Sequence, residues 1–353
     1  MAHLRSTLRT LLFSLVAFTF EACAPASVEE VAGSDSYVLV WLYDEDMKDE
    51  DFLAVVDVDP DSKTFREIIK TYPTGLRGGW SHHSNYTYPA HGRLFANGYH
   101  SGNTVVFDVS NPMNATIVGQ FNIQSDPFYK NPHSFAALEN GNTLGTFQDS
   151  WDSKDGALVE MDSTGQMVRF ASAGDEHAGE VIHPYSLDIN EAMSQAITGN
   201  GDIMRGGPSN HGIQLWSLDT LERLHTVKLE HGPRGIEAQD PVEPRYINGG
   251  ASAMVVTDRC GLYHLDGIYG ETPSSTLVYD FGEPTCGVPA VIGRYWLQTV
   301  TEQHTIVVLD VSDPENPIEV SRVTFLDPEG RPHWISPSLD GTRVLLSSGL
   351  DFL

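Results

Sequence analysis

Histidine opens four of six similar stretches in this chain, and imidazoles gathered at one point bind transition metals such as copper, zinc, iron or nickel. The six opening residues are His83, His133, His183, Glu243, Cys286 and His333, with gaps of 50, 50, 60, 43 and 47 residues. His82 doubles the first. One such histidine alone reads more simply as a strand cap or a bond to a neighbouring segment. Together, His82, His83, His133 and His333 read as metal ligands. His183, in "HPYS", is the weaker member and suits a rim or second-layer position. Glu243 offers two readings, a carboxylate behind a ligand imidazole or a partner for Arg245. Cys286 is a soft ligand, or half of a disulfide with Cys260. His91, His100, His211, His264 and His304 fall in turns or outer strands and read as solvated.

Residues fifty apart meet only if the chain repeats a structural unit. "HHSNYTYPAHGRLFANGYHSGNTVVFDVSNPMNATIVGQF" (82–121) contains four short strands, "SNYTY", "RLFANGY", "NTVVFDV" and "ATIVGQF", divided by turn residues. The pattern recurs from each opening residue, and "FDVSNP" returns as "LDVSDPENP" two hundred residues later. A period near fifty with four strands per unit predicts an all-β fold, a β-propeller, whose innermost strands bring the opening residues to one channel mouth. A β-sandwich is the competing architecture. Three further strands lie in 36–73 and two follow His333, so the expected total of 25 falls between six complete blades and seven. The reading is a seven-bladed ring with an incomplete last blade, the alternative a six-bladed ring.

The remaining composition narrows the partners. Acidic residues outnumber basic ones 48 to 21, a formal charge of −27 that repels nucleic acid and anionic lipid. Residues 1–25 read as an export signal: Arg5 and Arg9, then "LLFSLVAFTF", too short for a stable membrane span, then small residues. Cys23 offers a lipid anchor as the alternative to plain secretion or periplasmic release. Residues 36–353 then form a single propeller domain. The sequence contains no phosphate loop, GxSxG elbow, HExxH or EF-hand loop.

"DFLAVVDVDPDSKTF" (51–65), "HHS" (82–84), "VVFDVSNP" (105–112) and "PHS" (132–134) resemble the selenium-binding protein / methanethiol oxidase family, as do "GLYHLDG" and "LDVSDPENPIEVSRV". The likeness runs over about residues 36–345 and is similar to a short bacterial branch. It implies a seven-bladed propeller with copper held by histidines near the channel, His82 and His83 matching the paired histidines, His133 the next and His333 a later one. It also implies oxidation of methanethiol by oxygen and water to formaldehyde, hydrogen sulfide and hydrogen peroxide. The family's selenium-linked cysteine has no counterpart in "NYTYP", and relatives continue past "SLDG" into a histidine-bearing tail where this chain ends at "GLDFL". The expected function is an exported copper-dependent oxidase of a small thiol or other sulfur compound. Zinc is the alternative metal, and a non-enzymatic metal- or partner-binding propeller the alternative role.

Overall fold

Each stretch of the chain folds back on itself in short antiparallel strands, because turn residues interrupt every apolar run after about six positions. The computed structural model describes residues 36–348 apart from 45, 100, 123–129, 150–153, 203–208, 283 and 327–330. The export segment and Cys23 lie outside the described residues. β1 (Tyr37–Leu42), β2 (Phe52–Asp57) and β3 (Ile68–Pro73) form a three-stranded sheet. A four-stranded sheet follows, made of β4 (Ser81–Ser84), β5 (Arg93–Gly98), β6 (Asn103–Asp108) and β7 (Thr116–Phe121). The next contains β8 (Lys130–Ala137), β9 (Thr143–Asp149), β10 (Ala157–Met161) and β11 (Met167–Ser172). After it come β12 (Pro184–Asn190), β13 (Gln195–Asn200), β14 (Gly212–Ser217) and β15 (Arg223–Lys228). β16 (Glu243–Ile247), β17 (Ser252–Val256), β18 (Gly261–Asp266) and β19 (Ser274–Asp280) make a fourth such sheet. A fifth comprises β20 (Ala290–Ile292), β21 (Tyr295–Val300), β22 (Thr305–Asp310) and β23 (Ile318–Thr324). β24 (Pro332–Pro337) and β25 (Val344–Ser348) pair by themselves.

These sheets are the blades of a β-propeller. Consecutive first strands pack on one another, β4 on β8, β8 on β12, β12 on β16 and β20 on β24. The first and last of the described sheets meet where Arg343 Nη1 donates to Val58 O at 2.9 Å. The 25 strands make five complete blades, and the five strands left over, divided between the terminal sheets, make a sixth with one strand more, so the ring is the six-bladed alternative and not the expected seven-bladed one. No helix among the described residues is long and apolar enough to cross a membrane.

Packing between blades explains why the second strands are apolar without alternation. Ala253 and Val255 of β17 face back onto Ile197, Ile213 and Leu215, while Met254 and Val256 face forward onto Trp296, Val307 and Leu309. A strand with a neighbour on both faces has no solvent side, so all its positions are buried. Burying each such side chain contributes roughly 1.5–3 kcal/mol. The outermost strand β23, by contrast, is exposed along its whole length.

The first strand of the first complete blade begins earlier than the pattern predicts. "SNYTY" was the expected strand, yet β4 covers Ser81–Ser84 and so contains His82 and His83 themselves. The reason lies in two side-chain amides. Asn97 Oδ1 accepts His83 N–H (2.8 Å) and Asn85 Oδ1 accepts Phe95 N–H (2.9 Å), which replaces ladder bonds across an irregular register.

Candidate metal centre

β4 and β8 lie side by side as first strands of neighbouring blades, bridged in parallel at Asn85 and Phe135. The chain enters them through residues in the left-handed region, Trp80 at φ 52° and Asn131 at φ 49°. Such backbone costs on the order of 1–3 kcal/mol for a residue other than glycine and is retained where surrounding contacts enforce it. One of those contacts is Asn97, fully buried at the end of β5. Its Nδ2 donates to Pro132 O and His133 O, both at 2.7 Å, while its Oδ1 holds His83 N–H. A single amide therefore sets the spacing between the two histidine-bearing strands.

The result is a cluster of His82, His83 and His133 in which one ring nitrogen of each lies within 4.8 Å of the others. His82 Nε2 stands 3.0 Å from His133 Nε2. Two nitrogens bound at about 2.0–2.1 Å to one ion are separated by about 3 Å when they subtend roughly a right angle, so this pair already has ligand spacing. His83 Nε2 is buried without a hydrogen-bond partner. A lone pair stranded in this way, beside two other imidazoles, fits a metal ion. His83 and His133 are both buried, and burial holds their pKa well below the ordinary histidine range, with the neighbouring imidazoles adding to the effect. They are neutral at pH 7 and can donate lone pairs.

Behind the rings runs a polar network. Ser134 Oγ lies 2.8 Å from His83 Nδ1, 3.1 Å from His133 Nδ1 and 3.1 Å from the Tyr86 hydroxyl. Tyr86 donates to Glu243 Oε2 (3.1 Å), which also accepts from Ser186 (2.8 Å) and Arg245 (3.0 Å). Arg245 lies over the Tyr86 ring at 4.1 Å, and Trp334 stacks on it at 4.9 Å. Tyr185 packs on the His133 ring at 3.7 Å and Trp334 on that of His83 at 4.7 Å.

The structure thus brings together three of the four histidines read as ligands. His333 stands outside the group, although the next residue of its strand β24, Trp334, packs on the His83 ring. His333 is near enough for its charge to oppose protonation of His83 and His133, and burial pushes its own pKa down to about 4. His183 is turned aside, its Nδ1 bonded to Gln148 O at 2.8 Å. Glu243 pairs with Arg245 and touches no imidazole, reaching the rings only through Tyr86 and Ser134. Cys286 is joined to Cys260, with Cα atoms 5.2 Å apart, so neither sulfur is a thiolate ligand. His264, read as solvated, is buried on β18. Tyr86, Ser134 and Asn97 went unread in the sequence. Ser134 directly follows His133 in "PHS", while Tyr86 stands three residues after His83 in "HHSNY" and Tyr185 two after His183 in "HPYS". Asn97 has a repeat in Asn200, whose Oδ1 holds His183 N–H at 2.7 Å.

No family model matches the chain, and no curated protein matches it in sequence. In three dimensions it is similar to a hypothetical selenium-binding protein from Sulfolobus tokodaii, with 16% identity, 89% of this chain and 82% of that one covered, and a TM-score of 0.69. It is also similar to a periplasmic gluconolactonase from Pseudomonas aeruginosa, with 12% identity, 88% of each chain covered and a TM-score of 0.64. A streptogramin B lyase aligns at 12% identity over 90% of this chain and 91% of that one, with a TM-score of 0.59. Identities this low establish a shared fold alone.

Proposed function

We propose that the protein is an exported metal-dependent oxidoreductase, with copper held by His82, His83 and His133, that oxidises a small thiol. The observation carrying the reading is the stranded Nε2 of His83 inside a three-imidazole cluster. The donor set is neutral and largely buried, and it contains no carboxylate or thiolate to offset a cation's charge. An ion of low charge is the least costly to bury there, which favours copper, with its monovalent state, over zinc. Copper in this position would supply a one-electron couple between a thiol sulfur and oxygen. The protein's part is to keep the imidazoles unprotonated and fixed, and to exclude water by packing Tyr185 and Trp334 against their rings. The resemblance of "DFLAVVDVDP" and "HHS" to the selenium-binding protein / methanethiol oxidase family supports methanethiol as the first substrate to try.

The test is metal content and oxygen uptake. Copper-loaded protein should retain about one copper per chain, lose it in His83→Ala, and consume oxygen with methanethiol or a related thiol. Protein that retains well under one metal per chain overturns the reading. Full occupancy without oxygen uptake makes it a non-enzymatic metal-binding propeller, and preferential retention of zinc removes the redox role. Sequencing the mature N-terminus of protein recovered from the periplasm tests export and distinguishes plain cleavage near residue 25 from lipid anchoring at Cys23.

A further inference from the structure

A carboxylate two and three blades away is linked by hydrogen bonds to both buried histidine rings. Glu243 Oε2 accepts, and the three groups around it are Arg245, Ser186 and Tyr86. The Tyr86 hydroxyl has one proton, which it gives to Glu243, so toward Ser134 it acts only as an acceptor. Ser134 must then donate its own proton to Tyr86, and its oxygen has only lone pairs left for the two imidazoles it touches. Both contacts are to Nδ1, at 2.8 Å from His83 and 3.1 Å from His133. Each ring must therefore hold its proton on Nδ1 and leave Nε2 bare.

We infer that Tyr86 is a positioning residue that locks His83 and His133 in the tautomer presenting Nε2 to the metal, under the control of Glu243. This deepens the metal reading and rests on it for its consequence, though the tautomers themselves do not require a metal. The bare Nε2 of His133 also makes His82 the donor across their 3.0 Å contact. His82 then carries its proton on Nε2 in the metal-free protein and must move it before it can ligate. The geometry around Tyr86 is over-determined, since Arg245 and Trp334 hold its ring while Glu243 and Ser134 fix its hydroxyl. A ring held only for packing would not need its hydroxyl placed between two polar groups of different blades.

Nitrogen-15 NMR of imidazole-labelled, metal-free protein reads the tautomers directly. The expected result is Nδ1–H for His83 and His133 and Nε2–H for His82. In Tyr86→Phe the ring stack survives, but the Ser134 proton loses its acceptor and turns to one imidazole, which switches to Nε2–H. Copper affinity, measured by chelator competition, should fall by about tenfold or more in that variant. Ser186→Ala removes a different donor from the same carboxylate oxygen and should leave both Nδ1–H signals in place. Either buried ring found as Nε2–H in the unmodified protein overturns the inference, as do unchanged tautomers in Tyr86→Phe. That first measurement decides the matter even if Tyr86→Phe fails to fold. Nδ1–H rings in a protein that takes up no copper would refute the metal reading and leave the tautomer assignment intact.

Discussion

Asn97→Ala should damage the metal centre without touching a single histidine side chain. The amide makes three bonds to buried backbone, from His83 N–H at 2.8 Å and to Pro132 O and His133 O at 2.7 Å. Alanine leaves one donor and two acceptors unsatisfied where water does not reach. At roughly 1–2 kcal/mol for each of the three orphaned groups, the expected loss is about 3–6 kcal/mol of folding stability. Because the same bonds space β4 against β8, copper affinity should fall by about 10–100-fold, the range for removing an outer support of a metal site. Asn200→Ala is the matched control. It frees His183 N–H in a neighbouring blade (2.7 Å) and should cost stability while leaving copper affinity unchanged. Urea unfolding followed by tryptophan fluorescence gives the first quantity, and chelator competition the second. A loss below about 1 kcal/mol in Asn97→Ala, or equal metal affinity in the two variants, would refute the idea that this amide sets the strand spacing.

Three further outcomes follow from the packing and the buried charges. Replacing both Cys260 and Cys286 by serine opens a crosslink of sequence separation 26, and the chain-entropy relation gives a loss of about 3.5 kcal/mol, measurable by urea unfolding. Phe135→Ala empties a fully buried position between the β4–β7 and β8–β11 blades and should cost about 3–5 kcal/mol by the same assay. The His333 prediction concerns pH. Its folded pKa, about 4, lies below its unfolded value of 6.5, so the unfolded chain takes up the proton first and stability is lost as pH falls from about 6.5 toward 4. His333→Gln should therefore reduce the stability difference between pH 7 and pH 5 by about 1–2 kcal/mol. Asp258 works in the opposite direction, since burial raises it to about 7 and its folded form gains stability on acidification. Only the comparison between variant and parent isolates the histidine, and an unchanged difference would mean that His333 is solvated.

The repeat was legible because each blade solves the same packing problem with similar residues. "VVFDVSNP" and "VVLDVSDP" are third strands covered on both faces, each ending in an aspartate before a proline-containing turn, and strands β6 and β22 fall on them. The cluster of His82, His83 and His133 was legible for the same reason, since residues that open adjacent blades must come together. His333 stands apart from that cluster, because spacing along the chain does not say how closely the rings of two first strands approach. The supports of the centre were harder to see. Tyr86 and Glu243 are 157 positions apart, and nothing in either stretch of sequence tells that the two side chains meet. A first strand borders the channel, where its outer edge has no further strand to pair with, so its backbone groups need side-chain partners from the next blade. Asn97 supplies them for Pro132 and His133, and Thr301 Oγ1 does the same for Pro332 O, just before His333, at 3.0 Å. In both cases the residue that fixes a histidine-bearing strand lies near the end of the preceding blade's second strand. The ligands of such a centre are written at the start of each repeat, and their alignment is written about 35 residues earlier, in polar positions that look like ordinary strand ends until the blades are assembled.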